Sequence, residues 1–439
     1  MKKKILFETF LMFLLMILNP YVLALDINTI KNVEKSIEIK TGNDTNQKIT
    51  EIIQKINKTI IKNFLEELIS IGPRMTSTYG CIKAGNYIYN KFQEFNLNAK
   101  KHEWSGFGNI WSMGYYNSNN IEGTLQGKNT KDDEVIIFNA HYDTVEDIVG
   151  ANDDGSGVVG VLSAAFALSH YSFNKTIKFV TFSGEEIGLL GSTNYVKNLY
   201  ENNEDILVEF NADMIGVAKT EDDGKKIRIS YSEDTEWIID IIEEINNSNN
   251  NLNLGIAEKY RYNRDSKRGG SDYYPFIRYG YESISFWEAS GDPNMHTPQD
   301  DLTNVNISYL LNVTRIIAAT IAYIADIEDR PPKLEISSPK KGKLYFKDRI
   351  IKTFESEKTT VIDDILIYTD IKTVSSPIEK VEFYYDEELE YTAENIPFVW
   401  HVNKISFGNH KLKAIAYDIK GRNSTDQISV LFINPLRSK

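Results

Sequence analysis

The sequence predicts an α/β domain followed by a small all-β domain, and three observations carry this reading. From about residue 135 to 330, short apolar runs of strand length alternate with longer helical patterns. Arg330-Pro331-Pro332 then breaks the chain as a linker does. Beyond it lie only short strand-like segments separated by turn residues, with no helical periodicity. Alternating strands and helices argue for a twisted sheet flanked by helices on both faces.

The elements follow in order. Lys2, Lys3 and Lys4 precede an apolar stretch from about Ile5 to Leu18, then Pro20 and the small-residue site Val22-Leu23-Ala24. Residues 1–24 therefore read as a cleaved secretion signal, too short to span a bilayer. No second stretch reads as long and apolar enough to do so. Residues 25–55 are polar and read as a linker or pro-segment. Ile52, Ile53, Ile56, Ile60, Ile61, Phe64, Leu65 and Leu68 recur at helical spacing up to Gly72-Pro73. A helix is expected over Ile82–Phe95. Strands are expected at Val135–Phe138, Ile177–Phe182, Ile206–Phe210 and Ile284–Trp287. Helices are expected at Val158–Leu168, Leu189–Leu199, Trp237–Ile245 and Leu310–Ile327. The domain bounds are 56–329 for the α/β part and 333–439 for the β-sandwich.

The 439 residues carry a formal net charge of -13, which disfavours broad binding to nucleic acid. Cys81 is the single cysteine, so thiolate metal clusters are excluded and the thiol reads as a bystander.

Five polar clusters interrupt the α/β region: His141-Tyr142-Asp143, Asn152-Asp153-Asp154-Gly155, Gly184-Glu185-Glu186, Asn211-Ala212-Asp213 and His296-Thr297-Pro298. Most lie at or just beyond expected strand ends, where open α/β sheets gather functional groups. So many carboxylates in one crevice repel each other, and bound cations remove the conflict. Histidine with carboxylate suits zinc. One bridging carboxylate, with an imidazole and a further carboxylate per ion, gives each of two metals three protein ligands and an open position. His102, His170, His401 and His410 lie outside any carboxylate cluster and read as surface or structural. Glu221-Asp222-Asp223, between lysines, reads as a charged turn.

Taken together and in order, these motifs resemble the secreted co-catalytic zinc aminopeptidases, relatives of glutamate carboxypeptidases and glutaminyl cyclases, over about residues 60 to 330. The resemblance implies the zinc-exopeptidase fold and two Zn2+ ions per chain. It implies that His141 and Asp213 hold one zinc, Glu186 and His296 the other, and that Asp153 bridges them, with a cis peptide before Asp154. It also implies that Glu185 is the general base and that Asp143 orients His141. Ser271-Asp272-Tyr273 matches a family stretch near the substrate cleft, whereas Met295 stands where some relatives have Tyr before His296. The expected activity is hydrolysis of N-terminal peptide bonds, on peptide or protein substrates with a free N-terminus. A carboxypeptidase, with Arg264 or Arg268 as clamp, a glutaminyl cyclase and a non-catalytic binding ectodomain are the alternatives. The C-terminal domain resembles immunoglobulin-like modules of secreted hydrolases, through Val381-Glu382-Phe383-Tyr384, Gly408-Asn409-His410 and Ala416-Tyr417-Asp418. It implies cell-surface or substrate contact, and the whole chain is expected to be secreted or extracytoplasmic.

Overall fold

The computed structural model describes residues 43–434, except for 110–112, 129–133, 233–234, 250–251, 253, 262–269, 328–330, 355, 357 and 373–375. The signal segment, Arg264, Arg268 and Arg330 therefore lie outside the described residues. The chain divides into a unit of residues 1–48 and a unit of residues 49–439. Everything below except the start of the first helix belongs to the second.

The described end of the segment read as a linker is helical, as α1 (Asn43–Lys55). The continuous helical spacing from Ile52 to Leu68 conceals a break. Asn57 accepts from the amides of Thr59 and Ile60 at 3.0 and 3.2 Å and so starts a new helix, α2 (Lys58–Ile69). Apolar spacing alone does not register such a cap. Helix α3 (Tyr79–Glu94) begins three residues earlier than expected because Thr78 caps it.

The central sheet has eight strands: β1 (Asn98–Phe107), β2 (Tyr115–Leu125), β3 (Val135–His141), β4 (Thr176–Phe182), β5 (Ile206–Ala212), β6 (Lys226–Tyr231), β7 (Gly255–Arg261) and β8 (Ser283–Glu288). Their order is β1-β2-β4-β3-β5-β8-β6-β7. The inner four, β4, β3, β5 and β8, run parallel, and β2 and β6 pair antiparallel on either side. The expected strands are the buried inner ones, with apolar side chains on both faces. The unforeseen β1–β2 hairpin is polar and half-exposed.

Helices α4 (Gly155–Leu168) and α8 (Ile307–Asp326) pack against each other and, with α2, α3 and α6 (Glu236–Ser248), cover one face. Helices α5 (Leu190–Glu201) and α7 (Tyr273–Arg278) cover the other. Alternate residues along β3 divide between the faces. Val135 and Ile137 join Val180, Phe182, Tyr195, Val196, Leu199 and Phe276 in the core on the α5 side. Each such large side chain contributes about 1.5–3 kcal/mol by leaving water. Contrary to the sequence expectation, α8 is long and apolar enough to cross a membrane, but most of it is buried in this domain, which makes it a core helix.

The C-terminal domain contains two sheets. Strands β9 (Lys333–Ser338), β13 (Ile365–Lys372) and β16 (Val399–Val402) form the smaller. The larger is ordered β11-β10-β12-β18-β17-β14-β15, from β10 (Lys343–Phe346), β11 (Arg349–Thr353), β12 (Thr359–Ile362), β14 (Ile378–Tyr385), β15 (Glu388–Ala393), β17 (Ser406–Asp418) and β18 (Asn423–Asn434). Leu334, Ile336, Ile367 and Trp400 of the first meet Val381, Phe383, Leu412, Val430 and Phe432 of the second in one core.

The junction with this domain sits at the amino ends of the parallel strands. Pro331, Pro332 and Lys333 line a small recess with Glu134, Asp205 and Glu282, the residues just before β3, β5 and β8. Lys175, just before β4, donates to the Ile327 carbonyl at 2.8 Å and fixes the end of α8 there.

Under the carboxyl ends of the strands lies a buried polar ladder. The Asn211 amide donates to Asn139 Oδ1 at 3.0 Å, and Asn139 in turn donates to Glu209. Ser283 Oγ donates to the other Glu209 oxygen. Burial pushes the Glu209 carboxyl up to about 8. Its folded value exceeds its unfolded one, so its contribution to stability is full below the ordinary carboxylate range and is lost as pH rises through 8. Glu209→Gln is expected to remove that loss. In urea unfolding of the metal-free protein, the variant should gain stability relative to wild type between pH 5 and 9. A difference that stays constant with pH would show that Glu209 is already ionised.

Candidate metal centre

Each chemical side chain is delivered by a strand end or by the loop that follows. His141 is the last residue of β3, and Asp213 follows β5 directly. Glu185 and Glu186 follow β4 after the turn at Gly184. That turn has φ 81, and a Cβ on Gly184 would lie 2.6 Å from Trp104, so the position requires glycine. Asp153 and Asp154 precede α4, joined by a cis peptide bond as expected. His296, at φ 59, lies in the loop beyond β8.

These residues converge although they span 155 positions of sequence. His141 Nε2 lies 3.3 Å from Asp153 Oδ1 and 3.9 Å from Asp213 Oδ1. His296 Nε2 lies 3.1 Å from Asp153 Oδ2 and 3.2 Å from Glu186 Oε2. Asp153 thus turns one oxygen to each imidazole. His141-Asp153-Asp213 and Asp153-Glu186-His296 each bring ligand atoms close enough to share an ion. Glu186 Oε1 is buried without a hydrogen-bond partner, an orphaned acceptor that a cation would satisfy. The donor set of imidazole nitrogens and carboxylate oxygens fits zinc.

The electrostatics follow from crowding. Burial, joined by neighbouring carboxylates, raises the Glu185 and Glu186 carboxyls, and lifts Asp213 to about 7. Burial opposes a charge on His141, yet Glu185, Asp143 and Asp153 hold its imidazole protonated well above the usual range. Hydrogen bonds to Asp153 and Glu186 raise His296 to about 10.

One expected contact differs. The nearer partner of His141 Nδ1 is the Asp143 carbonyl oxygen at 3.2 Å, with the carboxylate at 3.7 Å. The strand ends at His141, so Asp143 no longer follows its alternation. The Asp143 carboxylate instead accepts from Thr76 Oγ at 2.8 Å and from the Glu185 amide at 3.3 Å, tying the His141 loop to the Glu185 loop.

The sequence reading assigned no holding role to the residues that fix these loops. Arg74 is fully buried, and its guanidinium donates to the carbonyls of Tyr142, Val149 and Gly150. Asp154 accepts from the amides of His141, Gly157 and Met214, joining β3, α4 and the end of β5. Asp300 accepts from the amides of Asn152 and Asp153 at 2.7 and 3.0 Å. Its place four residues after His296 was the available signal. Asp272, at the start of α7, is buried with neither carboxylate oxygen hydrogen-bonded, and burial raises it to about 7.

The remaining singled-out residues lie elsewhere. Burial pushes the Cys81 thiol up to about 11, which fits an inert bystander. Glu221 pairs with Lys225 at 2.7 Å on the surface, a charged turn as expected. His170 bonds the Phe166 carbonyl. His102, His401 and His410, which read as surface or structural, each face a single carboxylate: Glu122 at 3.1 Å, Asp364 at 2.7 Å and Asp386 at 2.6 Å. Their partners are distant in sequence, so no local motif announces them.

Fold and donor set together define a metal-binding α/β domain with its ligands on the strand ends. A model of Peptidase family M28 matches residues 120–321, within the α/β domain. Aminopeptidase YwaD of Bacillus subtilis (strain 168) is 30% identical over 242 residues, which is 53% of this chain and 50% of that protein. Aminopeptidase Y of Saccharomyces cerevisiae is 29% identical over 231 residues, covering 47% and 39%. The chain thus spans half or less of the length of these curated relatives. The solved structure of BSAP, a zinc aminopeptidase from Bacillus subtilis, shares the fold with a TM-score of 0.53 and 17% identity, over 62% of this chain and 96% of that one.

Asp300 touches no proposed donor atom but fixes the backbone of Asp153. Asp300→Ala is expected to weaken zinc binding by about 10–100-fold, the scale for partners that orient ligands. A competitive chelator titration with circular dichroism as fold control measures this. Unchanged affinity in a folded variant would mean that Asp300 does not position Asp153.

Proposed function

We propose that this chain is a secreted zinc aminopeptidase that binds two zinc ions and removes N-terminal residues from peptides. The observation that carries the proposal is Asp153, whose two oxygens face His141 and His296 separately. His141 and Asp213 would hold one ion, Glu186 and His296 the other, with Asp153 between them. Bound zinc supplies Lewis acidity toward the scissile carbonyl and makes water a better nucleophile near neutrality.

The chain's own residues do the rest. Glu185 is in none of the triads that contain Asp153. With its carboxyl raised by burial, it can take a proton from water and return it to the leaving amine. Asp143 holds the Glu185 amide and keeps the base in place. The surrounding carboxylates favour a substrate's free α-amine. A carboxypeptidase needs a cation for the substrate's carboxylate, and Arg264 and Arg268, the candidates for that clamp, lie outside the described residues. The names of the M28 relatives favour the same reading. Residues 1–24 would act as the export signal, and the C-terminal sandwich as an immunoglobulin-like module for cell-surface or substrate contact.

The adjacent glutamates separate base from ligand. Glu185→Gln should keep about two zinc ions per chain while turnover of aminoacyl-arylamides falls roughly 10²–10⁴-fold. Glu186→Ala should lose zinc and recover part of its activity in excess metal. Metal analysis with steady-state kinetics distinguishes them. Normal turnover in Glu185→Gln, or full activity after chelation, would overturn the mechanism.

A further inference from the structure

We propose that Ser406, His410 and Asp386 in the C-terminal domain form a second, metal-independent nucleophilic site that cleaves carboxylic esters with an apolar acyl group. The three residues come from separate places. Asp386 follows β14 in the turn to β15, Ser406 opens β17, and His410 lies four residues further on. Ser406 Oγ lies 2.8 Å from His410 Nε2, and His410 Nδ1 lies 2.6 Å from Asp386 Oδ2. A hydroxyl on one ring nitrogen and a carboxylate on the other is the geometry of an activated serine, recognised by roles rather than by sequence position.

The surroundings hold this arrangement. The other Asp386 oxygen accepts from the Lys411 amide at 2.8 Å. Asp386 and Glu387 both adopt left-handed backbone, at φ 48 and 69, in a two-residue turn that glycine would occupy more easily. The His410 ring lies against Tyr385 and Phe432, with centroids at 4.8 and 6.2 Å. The Tyr385 hydroxyl lies 2.5 Å from Ser406 Oγ. Ser406 pairs in register with Asn434 on β18, so the two side chains share one face of the sheet. Asn434 is buried and its side-chain oxygen has no partner. The Tyr385 hydroxyl is the group beside Ser406 Oγ that can donate to a developing oxyanion.

Access is also present. His410 is about a fifth exposed, at 21%. A Cβ on Gly408 would meet only His410 Nε2, at 3.8 Å, so space lies open beside that nitrogen. Ile405 and Phe407 alternate to the other face of the strand, and the apolar groups beside the His410 ring, suited to an acyl chain, are Tyr385 and Phe432.

In the reaction, Ser406 Oγ bonds to the ester carbonyl carbon while its proton passes to His410 Nε2. The carbon–oxygen bond to the alcohol breaks, and the alkoxide leaves with that proton. Water then attacks the acyl-serine and gives a proton to His410, which returns it to Ser406 Oγ. The products are one carboxylic acid and one alcohol.

The test uses the full chain in chelator, so that the M28 centre is silent and its failure cannot be mistaken for failure here. A fluorophosphonate probe should modify the Ser406 peptide, located by mass spectrometry, and p-nitrophenyl butyrate should be hydrolysed. Ser406→Ala should abolish both. His410→Gln should slow labelling by about 10²-fold or more, the scale of general-base loss. Should the variants fail to fold, wild type against its heat-denatured form still decides. No adduct on Ser406 above the denatured level, or hydrolysis that survives in folded Ser406→Ala, would reduce the triad to a brace between hairpins.

Discussion

Negative charge drawn out of water at the carboxyl ends of four parallel strands is the constraint on which the α/β domain depends. Asp143, Asp153, Asp154 and Asp213 are buried there, with Glu185 and Glu186 beside them and two imidazoles in reach. Such a group of carboxylates is stable only with counter-charge, whether protons or metal. The raised carboxyls and raised histidines are two sides of that condition. Metal binding and fold stability are therefore linked, because cations that occupy the centre relieve the repulsion that folding creates.

The loops that carry the ligands bury apolar side chains such as Tyr142, Ile148, Ile187 and Ile215, but these do not aim the ligands. The loops are held by polar side chains aimed at backbone: Arg74 at three carbonyls, Asp154 at three amides, Asp300 at two. A buried hydrogen bond whose partner is removed costs about 1–3 kcal/mol, more when charge is left behind. These residues therefore set the precision of the centre without touching what it binds.

The inner strands and their helices were legible because burial on both faces demands unbroken apolar runs, as at Val135–Phe138 and Ile177–Phe182. The ligand clusters were legible because His, Asp and Glu in those combinations are rare at strand ends. Strand β6 shows its alternation in Ile227, Ile229 and Tyr231, yet it sits among charges that mask it. The β1–β2 hairpin was hidden because one buried tryptophan, Trp104, anchors an otherwise polar strand. Arg74, Thr76 and Asp300 were hidden for a different reason. Each is a single polar residue whose partner lies far away in sequence, so neither periodicity nor local spacing marks it. The His410–Asp386 contact belongs to the same class, made between residues 24 positions apart.

The linker meets the sheet at Glu134, Asp205 and Glu282, the residues that lead into β3, β5 and β8. The carboxylate centre lies at the opposite ends of those strands. The α/β domain thus has a floor and a mouth, with the β-sandwich joined at the floor. The sandwich is attached away from the carboxylate centre, at the other ends of the strands. An attachment at the mouth would have made the second domain a gate; at the floor it can serve as a mooring.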